Sequence, residues 1–185
     1  NSSGELSLTV DNTVIDVCGG ESDGHGVNIL ASAAAEVDLS VVRGSIFRNV
    51  DVNGINLQVT GTAEVKLDVD ATDGTNEFSG NGSFGLRGHT ASTGFDEPSL
   101  TVNVRGGGGN QNLFDSNFGG GIDLSQTLGS SLVFEITDNY FNNEQVSANF
   151  WSDDATTTSA TMEGLFSGNT LCGNWGTAGV NAYLN

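Results

Sequence analysis

Asp38, Asp68 and Asp70 are the side chains whose type and spacing come nearest to a metal site. Each lies at an alternate position in an apolar-alternating stretch, so all three are expected on the outward side of strands. Carboxylates stacked ~5 Å apart repel unless a cation or a hydrogen-bonding neighbour intervenes, and the chemistry this spacing suits is a Ca²⁺ bridge from Asp38 to Asp68. Glu21, Asp23 and His25, in the insertion GGESDGHG, form a second small cluster of potential cation ligands. The run from Asp68 to Gly74 has the look of a calcium loop. Its acidic spacing is off by one, however, and Ser79 stands where a bidentate Glu is needed, which excludes that motif.

Other groups suggest other chemistry. Arg43 and Arg48, near Asp51, Asp68 and Asp70, are the best available cluster for an arginine base beside acidic residues. A glycosidase would need paired carboxylates, one with a raised pKa, and a chain this acidic supplies pairs everywhere, so their presence decides nothing. Asn1-Ser2-Ser3 and Asn81-Gly82-Ser83 match the N-glycosylation acceptor pattern. Gly106 to Gly109 lack the following Lys-Ser/Thr that a phosphate loop requires and read as a flexible corner. Arg87 to Pro98 reads as a second loop leaving the body of the protein.

A repeat positions these groups. Its reference copy is Glu36 to Leu57: Val37, Leu39 and Val41 alternate as in a half-buried strand, Ile46-Phe47 follow, and Gly54-Ile55-Asn56-Leu57 turns into a third strand. Six copies of this order, the reference included, follow one another at intervals of roughly 28 to 35 residues, as in a solenoid. No useful window shows helical spacing. Three short strands per turn, separated by Gly, Asn, Asp, Ser and Thr corners, predict an all-β coil of about six rungs whose strands stack as three parallel sheets in a single domain over 1-185. Leu8, Leu39, Leu67, Val102 and Phe134 should form one inward column, and Ser7, Asp38, Lys66, Thr101 and Val133 an outward one. Asn in repeated corners is expected to adopt the left-handed conformation and to bond along the stack.

The Asn-x-Phe elements at Asn76, Asn112 and Asn139, with the Gly-Ile/Val-Asn/Asp elements at Gly26, Gly54, Gly121 and Gly179, resemble the right-handed parallel β-helix (pectate-lyase-like) repeat proteins over nearly the whole chain. Parallel crossovers are overwhelmingly right-handed. The resemblance admits polysaccharide lyases and hydrolases, but a long cleft takes more rungs than six.

Charge narrows the partners. With 23 Asp plus Glu against 5 Lys plus Arg, the net charge of −18 excludes a basic face for nucleic acid and disfavours anionic membranes. No apolar run is long enough to span a bilayer. A single Pro and 27 Gly suit an extracellular solenoid, and the opening at Asn1 reads as a mature or excised segment. Strand-like sequence runs close to both termini without the polar caps solenoids carry.

Cys18 and Cys172 fall after the second strand of the first and last rungs, ~24 Å apart along the axis. That excludes an intramolecular disulfide and leaves two unpaired thiols or an intermolecular bridge. The expectation is a non-catalytic, extracellular or cell-surface structural protein whose partners are copies of itself, head to tail, in a fibre or filament. The alternative is a carbohydrate-binding or polysaccharide-cleaving module.

Overall fold

The computed structural model describes residues 4–16, 24–92, 94, 96–153, 160–176 and 179–184. Eighteen strands form three six-stranded parallel sheets. The first holds β1 (Glu5–Asp11), β4 (Glu36–Val42), β7 (Glu64–Asp70), β10 (Ser99–Arg105), β13 (Ser131–Thr137) and β16 (Thr161–Ser167). The second holds the three-residue strands β2 (Val14–Asp16), β5 (Ile46–Arg48), β8 (Glu77–Ser79), β11 (Leu113–Asp115), β14 (Tyr140–Asn142) and β17 (Thr170–Cys172). The third holds β3 (Val27–Ala31), β6 (Ile55–Thr60), β9 (Phe84–Ala91), β12 (Gly120–Thr127), β15 (Ala148–Asp153) and β18 (Val180–Leu184). Every strand neighbours the strand three before or after it, so the chain coils as a parallel β-solenoid of six rungs, about five turns from first to last.

Period-two alternation sets the register. Leu8, Leu39, Leu67, Val102 and Phe134 are successive partners, as the alternation predicts, and Gly164 follows them. In the second sheet Phe47, Phe78, Phe114 and Phe141 stack with centroids 5.0, 4.9 and 4.9 Å apart and ring planes within 12° of parallel. All four rings are fully buried, and such contacts add ~0.5–1.5 kcal/mol each beyond area burial.

This stack explains the repeated glycine before the third strand, which a turning role does not. None of Gly54, Gly85 and Gly121 has a positive φ. A Cβ at Gly85 would lie 2.8 Å from the Phe114 ring, and one at Gly121 2.6 Å from that of Phe141. The glycines admit both the phenylalanine rings and the carbonyl of the next rung, which at Gly54 is the tighter contact, Gly85 O lying 2.6 Å from the place of a Cβ.

Corners carry a second regularity. Ser45 N–H donates to Asn76 Oδ1 (3.0 Å), and Asn76, Asn112 and Asn139 each donate their side-chain amide to the next Oδ1 in line, ending at Asn169 (2.9, 2.8 and 3.0 Å). Bonding along the stack is therefore as expected. The left-handed conformation belongs elsewhere: at Asn49, Gly80, Ser116, Asn143 and Gly173, each closing a strand of the second sheet, and at Arg43, Asp138 and Gly168 after the first. Asn76, Asn112 and Asn139 bond along the stack without the left-handed conformation, whereas Asn49 and Asn143 combine the two, donating to Asp16 Oδ1 (3.1 Å) and Ser116 Oγ (2.9 Å) of the preceding rung.

The first expected loop and the opening residues of the second are regular backbone. Gly107 and Asn110 exchange backbone hydrogen bonds (3.0 and 2.9 Å) around Gly108 and Gly109, whose φ values of 62° and 89° make a tight two-residue turn rather than a flexible corner. Arg87 to Ala91 are part of β9, so the excursion begins only at Ser92.

Candidate functional site

Each of the five cationic side chains faces a carboxylate. Arg43 pairs with Asp11, Arg48 with Asp16 (2.8 Å), Lys66 with Asp68 (2.6 Å), Arg87 with Asp123 (3.4 Å) and Arg105 with Glu135 (3.2 Å). All but the Lys66 pair cross from one rung to a neighbour. Arg43 and Arg48 are thus turned back to Asp11 and Asp16 of the preceding rung, not toward Asp51, Asp68 and Asp70, and the lyase-like cluster does not form. Hydrogen bonds from Asn49 and Arg48 hold the Asp16 carboxyl below its ordinary value.

The calcium bridge fails for a related reason. Asp38 is in register with Lys66, and Asp68 with Ser40, so the two carboxylates are offset by two residues rather than stacked. Lys66 lies between them. Burial alone would raise the Asp68 pKa, but hydrogen bonds from Lys66 and from Asn103 Nδ2 (2.7 Å) hold it below the usual carboxylate range. Asp70 is the register partner of Val42 and accepts the Thr72 N–H (2.7 Å). A protein ammonium and an amide already do what the cation was invoked to do. His25 Nδ1 lies 3.3 Å from the Asn53 N–H it can accept from, whereas Glu21 and Asp23 lie outside the described residues. Among the described residues no group of three or more His, Cys, Asp and Glu could hold a metal ion.

Asn81 is corrected as a glycan acceptor. It is 1% exposed, and its side-chain amide donates to Asn117 Oδ1 (2.7 Å) and Phe47 O (3.3 Å). It begins a second corner ladder that runs through Asn117 to Glu144, whose two oxygens accept the Asn117 side-chain amide (2.7 Å) and backbone N–H (3.1 Å). Asn1 lies outside the described residues, as does Cys18. Cys172 is half-buried and free, and its hydrogen bond with Tyr140 raises that phenol's pKa. Its column runs back through Asn142, Asp115, Ser79 and Arg48 to Asp16, two positions before Cys18.

The outward face of the third sheet gathers the most varied chemistry. One column runs Asn28, Asn56, Arg87, Asp123, Asn149, Asn181; beside it run Leu30, Gln58, His89, Ser125, Trp151, Tyr183. Asp123 accepts from Asn149 Nδ2 (2.6 Å) and faces Arg87 Nε at 3.4 Å, an ion pair lacking hydrogen-bond alignment. His89 Nδ1 is 2.9 Å from Ser125 Oγ. Burial, with Arg87 adding and Asp123 opposing, lowers the His89 pKa, so the ring is neutral at neutral pH. Asn56 is 2% exposed, yet its Oδ1 has no hydrogen-bond partner.

Sequence reading missed this face because Gly88 breaks the apolar alternation of β9. Its Cβ would lie 2.9 Å from both Leu100 Cδ2 and Leu124 Cδ2, so glycine is the inward residue there. The surviving signal was Leu86-x-Gly88-x-Thr90, with Arg87 and His89 between.

The end rungs form the other distinctive surfaces. Leu6 and Leu8 point inward, yet they are 47% and 37% exposed, and inward-pointing Val180 is 40% exposed. Among the described residues, no strand pairs with the outer edges of β1, β2 and β3 or of β16, β17 and β18. No helix of the described residues is long and apolar enough to cross a membrane. No protein-family model matches the chain, and comparison with curated proteins and with solved structures gave no match.

Proposed function

We propose that the chain is a non-catalytic structural element of an extracellular or cell-surface assembly, associating end to end with copies of itself into a fibre. The observation that carries this is the state of the terminal rungs. Residues that belong to inward columns are exposed at both ends, beside unpaired strand edges that are a ready template for further pairing. Parallel edges of matching direction add head to tail, and a heterologous contact that does not close makes a filament. Each Lys and Arg faces a carboxylate, which turns Arg43 and Arg48 away from the acidic cluster that a lyase-like arginine base would need. We take the coil to be of the right-handed, pectate-lyase-like type.

Sedimentation velocity of the folded 185-residue chain tests the reading. Multimers should form at moderate salt and be lost when Leu8→Lys places a charge in the exposed column. A monomer at every concentration and ionic strength overturns it.

A second reading has its own support. The outward face of the third sheet offers amide, guanidinium, carboxylate and imidazole groups in adjacent rungs beside Trp151, and Phe118 and Trp175, each more than half exposed, lie 6.1 Å apart at the neighbouring corner. Polar groups beside aromatic surfaces suit a saccharide, bound rather than cleaved. Calorimetric titration with oligosaccharides would show binding that Arg87→Ala and Trp151→Ala abolish; no heat with any glycan sinks it.

A further inference from the structure

End-to-end association leaves open which residues meet, and the regularity of the rungs specifies them; this inference rests on that reading. From each rung to the next, pairing in all three sheets continues in one constant register, from Glu5 on Glu36 to Ser131 on Thr161. We infer that a second copy stacks on the last rung in this same register, with Thr161 of one copy on Glu5 of the next, Glu163 on Ser7, and Asn181 on Asn28.

Hydrogen-bond polarity across the third sheet fits the join. Asn56 Nδ2 donates to Asn28 Oδ1 (2.9 Å), Asn149 Nδ2 to Asp123 Oδ1 (2.6 Å), and Asn181 Nδ2 to Asn149 Oδ1 (3.0 Å). These three asparagine donations point toward the first rung, whereas in the middle of the column Arg87 faces Asp123 in the opposite sense. The last rung therefore presents Asn181 Oδ1 as an acceptor and the first rung presents Asn28 Nδ2 as a donor. Stacked in register, the two complete each other.

Apolar surface fits as well. Leu30 and Tyr183 are outward-facing members of one column at opposite ends of the solenoid, 66% and 50% exposed. They become neighbours only across such a junction. Inside, the column that begins at Leu8 ends at Gly164, where the Phe134 ring fills the place of a side chain: a Cβ there would lie 2.4 Å from it. Leu8 of the following copy would cover that ring.

Charge is compatible with this register. In it Glu163 meets Ser7, Glu5 meets Thr161, and Asp11 meets Ser167, so no carboxylate of the first sheet opposes another. A slip of two residues sets Glu163 on Glu5 in one direction and on Thr9 in the other, and a slip of one turns every inward side chain outward. Cys172 then meets Asp16, so the junction needs no disulfide.

Oxidative cross-linking in a Cys18→Ser/Cys172→Ser background tests the register. Cα atoms of an in-register pair lie ~4.8 Å apart, within disulfide reach, whereas a pair slipped by two residues is ~8 Å apart and outside it. Ser7→Cys with Glu163→Cys should give a disulfide-linked ladder, at least tenfold more of it than Thr9→Cys with Glu163→Cys. All three positions are exposed, and circular dichroism of each variant confirms the fold. Multimers that sediment together but cross-link no better in register than out of it overturn the register and leave end-to-end association standing. Monomers in every variant overturn the association as well.

Discussion

Glu144 Oε1 accepts the Asn117 side-chain amide at 2.7 Å while Oε2 accepts the Asn117 backbone N–H at 3.1 Å, in a position with no solvent exposure. Two Asn residues precede it in the ladder, and an acid takes the third place. Burial pushes its pKa up to about 8 from the ordinary 4.5, against the hydrogen bonds from Asn117 and with Asp115 adding to the rise. The folded chain thus holds a proton at Glu144 that the unfolded chain releases above 4.5. Stability from this group is fully present below that value and falls as pH rises toward 8, by on the order of 3–5 kcal/mol over the window. Thermal unfolding of Glu144→Gln should show a shallower decline from pH 5 to 8 than the parent, with the two converging at low pH. Parallel curves would contradict the assignment.

Asn112 tests the other ladder. Its amide donates to Asn139 Oδ1 and Arg105 O (3.0 Å), and its Oδ1 accepts from Asn76. Asn112→Ala leaves buried partners unsatisfied, at a cost of about 2–4 kcal/mol. Thr101→Ala, on the open outward face, should stay within ~0.5 kcal/mol. Urea unfolding midpoints compare them, and equal effects would remove the ladder from the account of stability.

Gly88→Ala is expected to destabilise by about 1–3 kcal/mol through overpacking against Leu100 and Leu124, not through backbone strain, because Gly88 has no positive φ. Combined with Leu124→Val, which opens space at the same point, part of that loss should return. A double variant whose losses simply add would point to another cause.

These residues also mark how far the sequence could be read. The column from Leu8 to Phe134 was legible because apolar side chains repeat every second residue in each strand. Arg87 and His89 were not, because the inward residue between them had to be the smallest one. Glu144 was hidden because its role is set by Asn81 and Asn117 in neighbouring rungs, at unequal spacing along the chain. The offset of Asp38 from Asp68 depended on register to the residue, which counting from a variable corner does not give. Left-handed Arg43, Ala33 and Leu128 carry no signature in residue type.

The net charge of −18 sets the conditions for assembly. Copies repel at long range, while the junction itself opposes no first-sheet carboxylates. Screening shortens the repulsion from ~30 Å at 0.01 M salt to ~3 Å at 1 M. Light scattering should therefore show association strengthening with monovalent salt, with calcium adding nothing beyond its ionic strength. A specific calcium requirement would return attention to Asp38, Asp68 and Asp70.

Electron microscopy of the concentrated chain at high salt tests the central claim most directly. Six rungs ~4.8 Å apart give an axial repeat of ~29 Å per copy. The account predicts thin rods of variable length whose power spectra carry both spacings along the rod axis. Discrete particles one copy long under the same conditions, or rods with the 4.8 Å spacing across the axis, would contradict end-to-end continuation of the solenoid.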